Sequence, residues 1–205
     1  MNWMKKVAVA LVCLLPLGLQ AAKIDTLQVK SPSMNKSIEV VVVSPDVAAT
    51  KACPVIYLLH GYGGNACTWV GIKPDLPKIA DEKGIFFVCP DGKNTWYWDS
   101  PLNADVRYET FISNELVKYV DSHYKTVADR KGRAITGLSM GGHGAMWNGL
   151  RHSDVFSAAG STSGGVDIRP FPKNWEMSVQ IGEKAKYPEN WEKYTVINLV
   201  PTLRK

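Results

Sequence analysis

Ser139 stands between Gly137 and Gly141 in the run Ile-Thr-Gly-Leu-Ser-Met-Gly-Gly-His-Gly-Ala-Met-Trp, residues 135–147. A Gly-x-Ser-x-Gly spacing serves acyl transfer when the serine sits on a sharp bend between a strand and a helix, because the bend pushes the hydroxyl into a cleft. The flanks meet that demand. Ala134, Ile135 and Thr136 read as a short buried strand, and Ala145, Met146, Trp147 and Leu150 give one apolar helical face directly after the bend. The pentapeptide alone fits equally well an ordinary serine in a glycine-rich turn or a phosphate-holding turn, so the rest of the chain must decide.

Acyl transfer by a serine develops negative charge on the former carbonyl oxygen, and backbone N–H groups aimed at that oxygen usually supply the largest single stabilisation. The segment His60-Gly61-Tyr62-Gly63-Gly64 follows an apolar run directly and is rich enough in glycine to turn its amides inward. The natural donors are the amides of Tyr62 and of Met140, the residue after the serine. A second loop, residues 91–101, carries Trp96, Tyr97 and Trp98. Trp96 and Trp98 are candidate substrate-binding residues, since aromatic faces with a polar edge suit sugar rings or aromatic acyl groups. The same cluster would also serve to pack a long loop onto its domain, and the sequence leaves both roles open.

These loops need a scaffold that brings them together. Residues 24–30 and 38–43 read as a β-hairpin around a turn containing Pro32 and Asn35. The runs at 55–59 and 85–88 are continuously apolar, as expected of strands buried on both faces. Residues 75–83 read as a short helix. Tyr108, Phe111, Ile112, Leu116, Tyr119 and Val120 recur at helical spacing, with Glu109, Asn114, Glu115 and Lys118 turned to water. A strand at 133–136, the helix after Gly142 and a strand at 156–162 follow. This alternation predicts an α/β fold with a mostly parallel sheet covered on both faces, whose active site gathers at the carboxyl ends of the strands. The loop after Leu59, the loop after Cys89 and the bend at Ser139 then lie side by side.

Residues 1–22 read as a secretory signal peptide. Lys5 and Lys6 form a basic start, and an apolar run broken by Pro16 leads to a small-residue site at Ala21 and Ala22. The expected location is therefore secreted or periplasmic, with no membrane anchor after cleavage, and residues 23–205 form one domain. The net charge of +5 falls to about +3 without Lys5 and Lys6, and lysines alternate with acids throughout, which argues against a nucleic-acid surface. Cys53, Cys67 and Cys89 remain. Only Cys67 with Cys89 could bridge, and buried thiols acting as small apolar side chains are the preferred reading. No His or Cys pair has ligand spacing, so no metal site and no cofactor are expected.

The His60–Gly64 motif, the segment Trp98-Asp99-Ser100-Pro101 with Tyr108-Glu109-Thr110-Phe111 after it, and the motif at 137–145 together resemble the putative-esterase family of α/β-hydrolases. That group includes S-formylglutathione hydrolase (esterase D), feruloyl and acetylxylan esterases and the mycolyltransferases. The resemblance covers almost all of the chain after residue 22. It implies a three-layer α/β-hydrolase sandwich and a serine carboxylesterase with Ser139 as nucleophile, Tyr62 and Met140 as oxyanion donors, and a small-molecule or carbohydrate ester as substrate. Export and the aromatic loop tilt it towards feruloyl or acetyl esters of plant polysaccharide.

One requirement is unmet. In this fold the serine is followed by an Asp or Glu and then a His. The histidines are His60, His123, His143 and His152, and no acid lies between Ser139 and His152. His143 is expected to pack beside the serine loop, His60 to orient the oxyanion loop, His152 to cap or sit on the surface, and Asp167 to be the one local acid. The expectation is a chain truncated before the last strands, with an exposed sheet edge after residue 156 and impaired turnover. The alternatives are a non-catalytic carbohydrate-binding pseudo-esterase and an acyltransferase of the same fold.

Overall fold

The computed structural model describes residues 22–202, so the proposed signal segment lies outside the described residues but for Ala22. Six strands form one sheet: β1 (Lys23–Ser31), β2 (Lys36–Ser44), β3 (Val55–Leu59), β4 (Phe86–Pro90), β5 (Arg133–Gly137) and β6 (Ala158–Ala159). Their order is β1-β2-β4-β3-β5-β6. β1 and β2 form the expected hairpin and join β4 antiparallel, while β4, β3, β5 and β6 run parallel.

Side-chain alternation explains the covering on both faces. Val40, Val42, Tyr57, Leu59, Phe86 and Val88 enter the larger core on one side. Val41, Val43, Leu58, Phe87 and Cys89 enter a second core on the other. The second core is closed by Leu76 and Ala80 of α2 (Leu76–Lys83), which stops at Gly84 in a left-handed cap. The larger one receives Phe111, Ile112, Leu116 and Val120, and also Ala145 and Trp147 from α5 (Met140–Arg151). Burying each of these large apolar side chains contributes roughly 1.5–3 kcal/mol.

The long helix predicted around Tyr108 is present, but it is not uniform. It consists of a short α-helical segment (Tyr108–Thr110), a π-helical turn (Phe111–Glu115) and a further α-helical segment (Leu116–His123). The apolar residues read at helical spacing are buried on both sides of this turn, Tyr108, Phe111 and Ile112 as well as Leu116 and Val120, and Asn114 and Lys118 are exposed as expected. Glu109, expected to face water, is buried. Its carboxylate accepts hydrogen bonds from Trp147 Nε1 at 2.7 Å and Arg151 Nε at 2.8 Å, and meets His152 Nε2 at 2.9 Å. Burial raises the Glu109 pKa, and those three partners more than offset it, leaving the carboxyl below its ordinary value. His152 is the C-cap of α5, as expected, and is partly exposed, and its ring is also tied to this buried carboxylate.

Two further expectations are corrected. The strand at 156–162 is reduced to the two-residue β6 plus an isolated bridge from Leu138 to Thr162, although backbone bonds from Gly160 N–H to Ile135 O and from Thr162 N–H to Gly137 O keep the chain beside β5 as far as Thr162. Ala158 and Ala159 are exposed. Among the described residues the cysteines are free: Cys53 and Cys89 are buried as expected, but Cys67 is exposed at the start of α1 (Thr68–Ile72).

Candidate active site

β5 ends at Gly137 and α5 begins at Met140, which leaves Ser139 alone on the bend with φ 54° and ψ −116°. A non-glycine residue in such a conformation costs about 1–3 kcal/mol and persists only when its surroundings dictate it. Here they do. The Ser139 N–H donates to the Thr162 carbonyl at 2.8 Å, its carbonyl accepts from His143 N–H at 3.0 Å, and Gly141 N–H donates to Leu138 O at 2.8 Å. The turn is so close to β3 that a Cβ on Gly141 would run into the Leu59 and His60 carbonyls. The result is an exposed serine held by backbone bonds on both sides.

The loop leaving β3 passes directly beside it. A Cβ placed on Gly61 would lie 3.5 Å from the Ser139 Cβ. Among the described residues, neither the Tyr62 N–H nor the Met140 N–H donates to a protein acceptor. Met140 is also the first residue of α5, where the helix leaves its amides unpaired and presents the positive end of its dipole. The expected oxyanion donors are thus brought to the serine with free amides.

His60 lies beneath this loop, wholly buried. Its Nδ1 faces the Gly61 carbonyl at 2.7 Å and its Nε2 accepts the Gly92 N–H at 2.9 Å. That pairing requires the neutral ring protonated on Nδ1. His143 is equally tied: Nε2 accepts from Trp98 Nε1 at 2.9 Å and Nδ1 donates to the Gly165 carbonyl at 2.7 Å. Burial pushes its pKa down to about 4, against the smaller opposing effect of the Gly165 bond. His123 is at the surface, stacked on Tyr119 with ring centroids 3.9 Å apart. None of the four histidines lines the cleft around Ser139.

That cleft has a volume of about 280 Å³, and its walls include Tyr62, Trp96, Asp167, Phe171 and Trp175. Asp167 is the local acid foreseen from sequence, but its carboxylate is held by Arg169: Oδ1 to Nε and Oδ2 to the guanidinium, each at 2.8 Å. That hydrogen bonding is the main reason its pKa lies below the ordinary carboxylate value. No histidine stands between Asp167 and the serine. A larger hollow of about 730 Å³, beside Lys173, Glu183 and Lys184, does not include Ser139.

The aromatic expectation divides. Trp96 does line the cleft, but Trp98 is completely buried, stacked on Trp96 at 5.5 Å and edge-on to Tyr194 at 5.2 Å. Its indole N–H is used up on His143, so Trp98 is a packing residue and offers no face to a ligand. The exposed rings come from a segment the sequence reading passed over. Phe171 and Trp175 are 43 % and 45 % exposed, with centroids 5.4 Å apart. Trp96 Nε1 donates to the Trp175 carbonyl at 3.1 Å. The available signal was two aromatics among Pro170, Pro172 and Asn174, a loop composition too ordinary to assign to a site.

The strand order, the strained serine between β5 and α5 and the glycine-rich loop after β3 define an α/β-hydrolase. Within that class the chain belongs to the family described as "Putative esterase", whose model matches residues 31–205. An esterase of Mycobacterium tuberculosis is 28 % identical over 149 residues, covering 69 % of this chain and 32 % of that protein. An acetyl esterase of Caldicellulosiruptor saccharolyticus is 32 % identical over 102 residues, covering 49 % of this chain and 37 % of that protein. A solved structure titled ferulic acid esterase superposes with a TM-score of 0.70 at 28 % identity, covering 91 % of this chain and 74 % of that one. The chain thus spans about a third of the length of these curated relatives. Among the described residues no group of His, Cys, Asp and Glu could hold a metal ion, and no helix is long and apolar enough to cross a membrane.

Proposed function

We propose that the chain is an exported carboxylic ester hydrolase with Ser139 as its nucleophile. In this reading Ser139 Oγ attacks the ester carbonyl carbon, the alcohol leaves, and water releases the acid from the acyl-serine. The observation that carries it is the pairing of a serine in a strained, over-determined bend with two unpaired amides, Tyr62 and Met140, beside it. Those amides would receive the developing oxyanion, each worth about 3 kcal/mol of transition-state stabilisation.

No histidine lines the cleft, and the one carboxylate in its wall, Asp167, is held by Arg169, so proton removal from Ser139 would be the slow point and turnover by these residues alone impaired. The oxyanion donors and substrate binding would leave about 10³ to 10⁴ of rate over water. The cleft sits at the small end of ligand-sized sites, which suits one acyl group and not a polymer chain. Its aromatic walls and the names of the acetyl and ferulic acid esterase relatives favour acetyl or aromatic acyl esters of plant polysaccharide. The basic and apolar start of the chain supports export to the periplasm or beyond.

The absence of a histidine from the cleft favours one second reading, a pseudo-esterase that binds its ligand without turnover. Hydrolysis of 4-nitrophenyl acetate and methyl ferulate separates the two. The esterase reading expects slow release that Ser139→Ala abolishes. Ferulate binding indifferent to Ser139→Ala, with no hydrolysis above buffer by the wild type, would instead favour the binding protein.

A further inference from the structure

The outer face of the loop after β3 is bare: a Cβ on Gly63 would meet nothing within 4 Å, and Gly63 has φ +75°. Packing fixes the loop at Gly61 and Gly64 but leaves its tip at Gly63 open, and there hydrogen bonds must set its direction. One closes the turn within it, Gly64 N–H to Gly61 O at 3.0 Å. The other leaves it, from Gly63 N–H to Asn94 Oδ1 at 2.9 Å. The opposite end of the same amide, Nδ2, donates to Glu176 Oε2 at 3.2 Å. A backbone donor on one side and a carboxylate on the other permit only this orientation of the amide. The Glu176 carboxylate also faces the Tyr62 phenol, whose pKa is raised by partial burial first and by that hydrogen bond second.

The segments that meet here are themselves strained. Lys93, Trp96 and Tyr97 have φ of 49°, 59° and 60°, while Ser163, Trp175 and Glu176 have 53°, 50° and 54°. Non-glycine residues hold left-handed backbone only where other contacts impose it. Two cross-links do so between the segments, Asn94 to Glu176 and Trp96 to the Trp175 carbonyl.

We propose that Asn94 is a positioning residue whose side-chain amide joins the loop presenting the Tyr62 N–H to the wall carrying Trp175, so that the oxyanion donor and the width of the cleft mouth are set together. The inference rests on the esterase reading of Ser139. It assigns to Asn94 and Glu176, neither of which lines the cleft, control over how well the cleft holds a tetrahedral adduct.

Substitutions that alter the clasp test it on the full chain, with two readouts. One is amide hydrogen exchange of residues 61–64 and 175–176. The other is the affinity of phenylboronic acid, a tetrahedral adduct former at serine, followed by tryptophan fluorescence. Asn94→Ala removes both bonds, and Asn94→Asp keeps the acceptor for Gly63 but sets a carboxylate against Glu176. Both are expected to speed exchange at 61–64 and to weaken phenylboronic acid about tenfold. Combining Asn94→Asp with Glu176→Gln restores a donor opposite an acceptor, and should return exchange and affinity to within about twofold of wild type.

Unchanged exchange in Asn94→Ala, altered exchange with unaltered affinity, or a double variant no better than Asn94→Asp would each overturn the proposal. Failure of the esterase reading shows elsewhere, in the wild type. Phenylboronic acid that fails to bind it, or binds Ser139→Ala equally well, removes the oxyanion role and the clasp's purpose with it.

Discussion

The two sides of the cleft are built differently. On one side the Ser139 bend and the loop after β3 lie on the central strands, where glycines at 137 and 141 let backbone approach backbone and no side chain would fit. On the other, residues 163–177 arch over the cleft with little regular structure, expose Phe171 and Trp175, and are held by a handful of hydrogen bonds and the Asp167–Arg169–Glu192 ion pairs. The first arrangement can store strain because many contacts fix it; the second can re-pack around a ligand at small cost. On the proposed esterase reading, reaction chemistry belongs to the rigid side and acyl selectivity to the arching one.

Breaking the rigid side should have the largest effect. Gly141→Ala puts a methyl group into the Leu59 and His60 carbonyls, and neither strand nor bend can move aside. A loss of about 3 kcal/mol or more is expected in urea unfolding, and an unchanged midpoint would show that the bend is looser than described.

The next effect comes from His143, beneath the same bend. Its folded pKa of about 4 lies below the unfolded value of 6.5, so the unfolded chain binds more protons between those limits. Stability from this group is complete above pH 6.5 and is lost as pH falls towards 4, by about 2 kcal/mol between pH 7 and pH 5. Urea midpoints at the two values check it, and His143→Gln should flatten the difference. Glu109, whose carboxyl is depressed, contributes in a separate and lower window, above its unfolded value of 4.5, and that contribution falls away in stronger acid. Glu109→Gln keeps the shape but removes the charge opposite Arg151 and His152, with an expected loss of about 1–2 kcal/mol at pH 7 by the same unfolding assay.

The arching side should answer in the opposite way. Trp175→Ala removes an exposed ring, so stability is expected to stay within about 0.5 kcal/mol. Ferulate affinity, measured by calorimetry, should fall roughly five- to tenfold if the ring stacks on the acyl group. A large stability loss without an affinity change would reverse the assignment of the two sides.

The same division governs what the sequence disclosed. The strands announced themselves because residues buried on both faces must be apolar at every position, as at Val55–Leu59 and Phe86–Pro90. The bend at Ser139 and its closeness to the glycine-rich loop carrying Tyr62 were legible because both follow from local backbone chemistry. Trp98 was not, since its burial depends on partners distant in sequence, His143 and Tyr194. Glu109 was misplaced because its burial depends on Trp147, Arg151 and His152, partners distant in sequence. Phe171 and Trp175 are placed at the cleft by long-range contacts of their segment, the core burial of Ile168 and Met177 and the bond from Trp96 to the Trp175 carbonyl among them, for which periodicity gives no sign.

On the proposed reading Ser139 is the acyl-transfer nucleophile, and no histidine in its cleft takes its proton. Labelling by an alkyl fluorophosphonate with and without imidazole in the buffer, located by peptide mass spectrometry, addresses it directly. Labelling at Ser139 that is slow alone, accelerates with imidazole concentration and vanishes in Ser139→Ala is the expected result. Absence of label from Ser139 at any imidazole concentration, or equal labelling of Ser139→Ala, would contradict it.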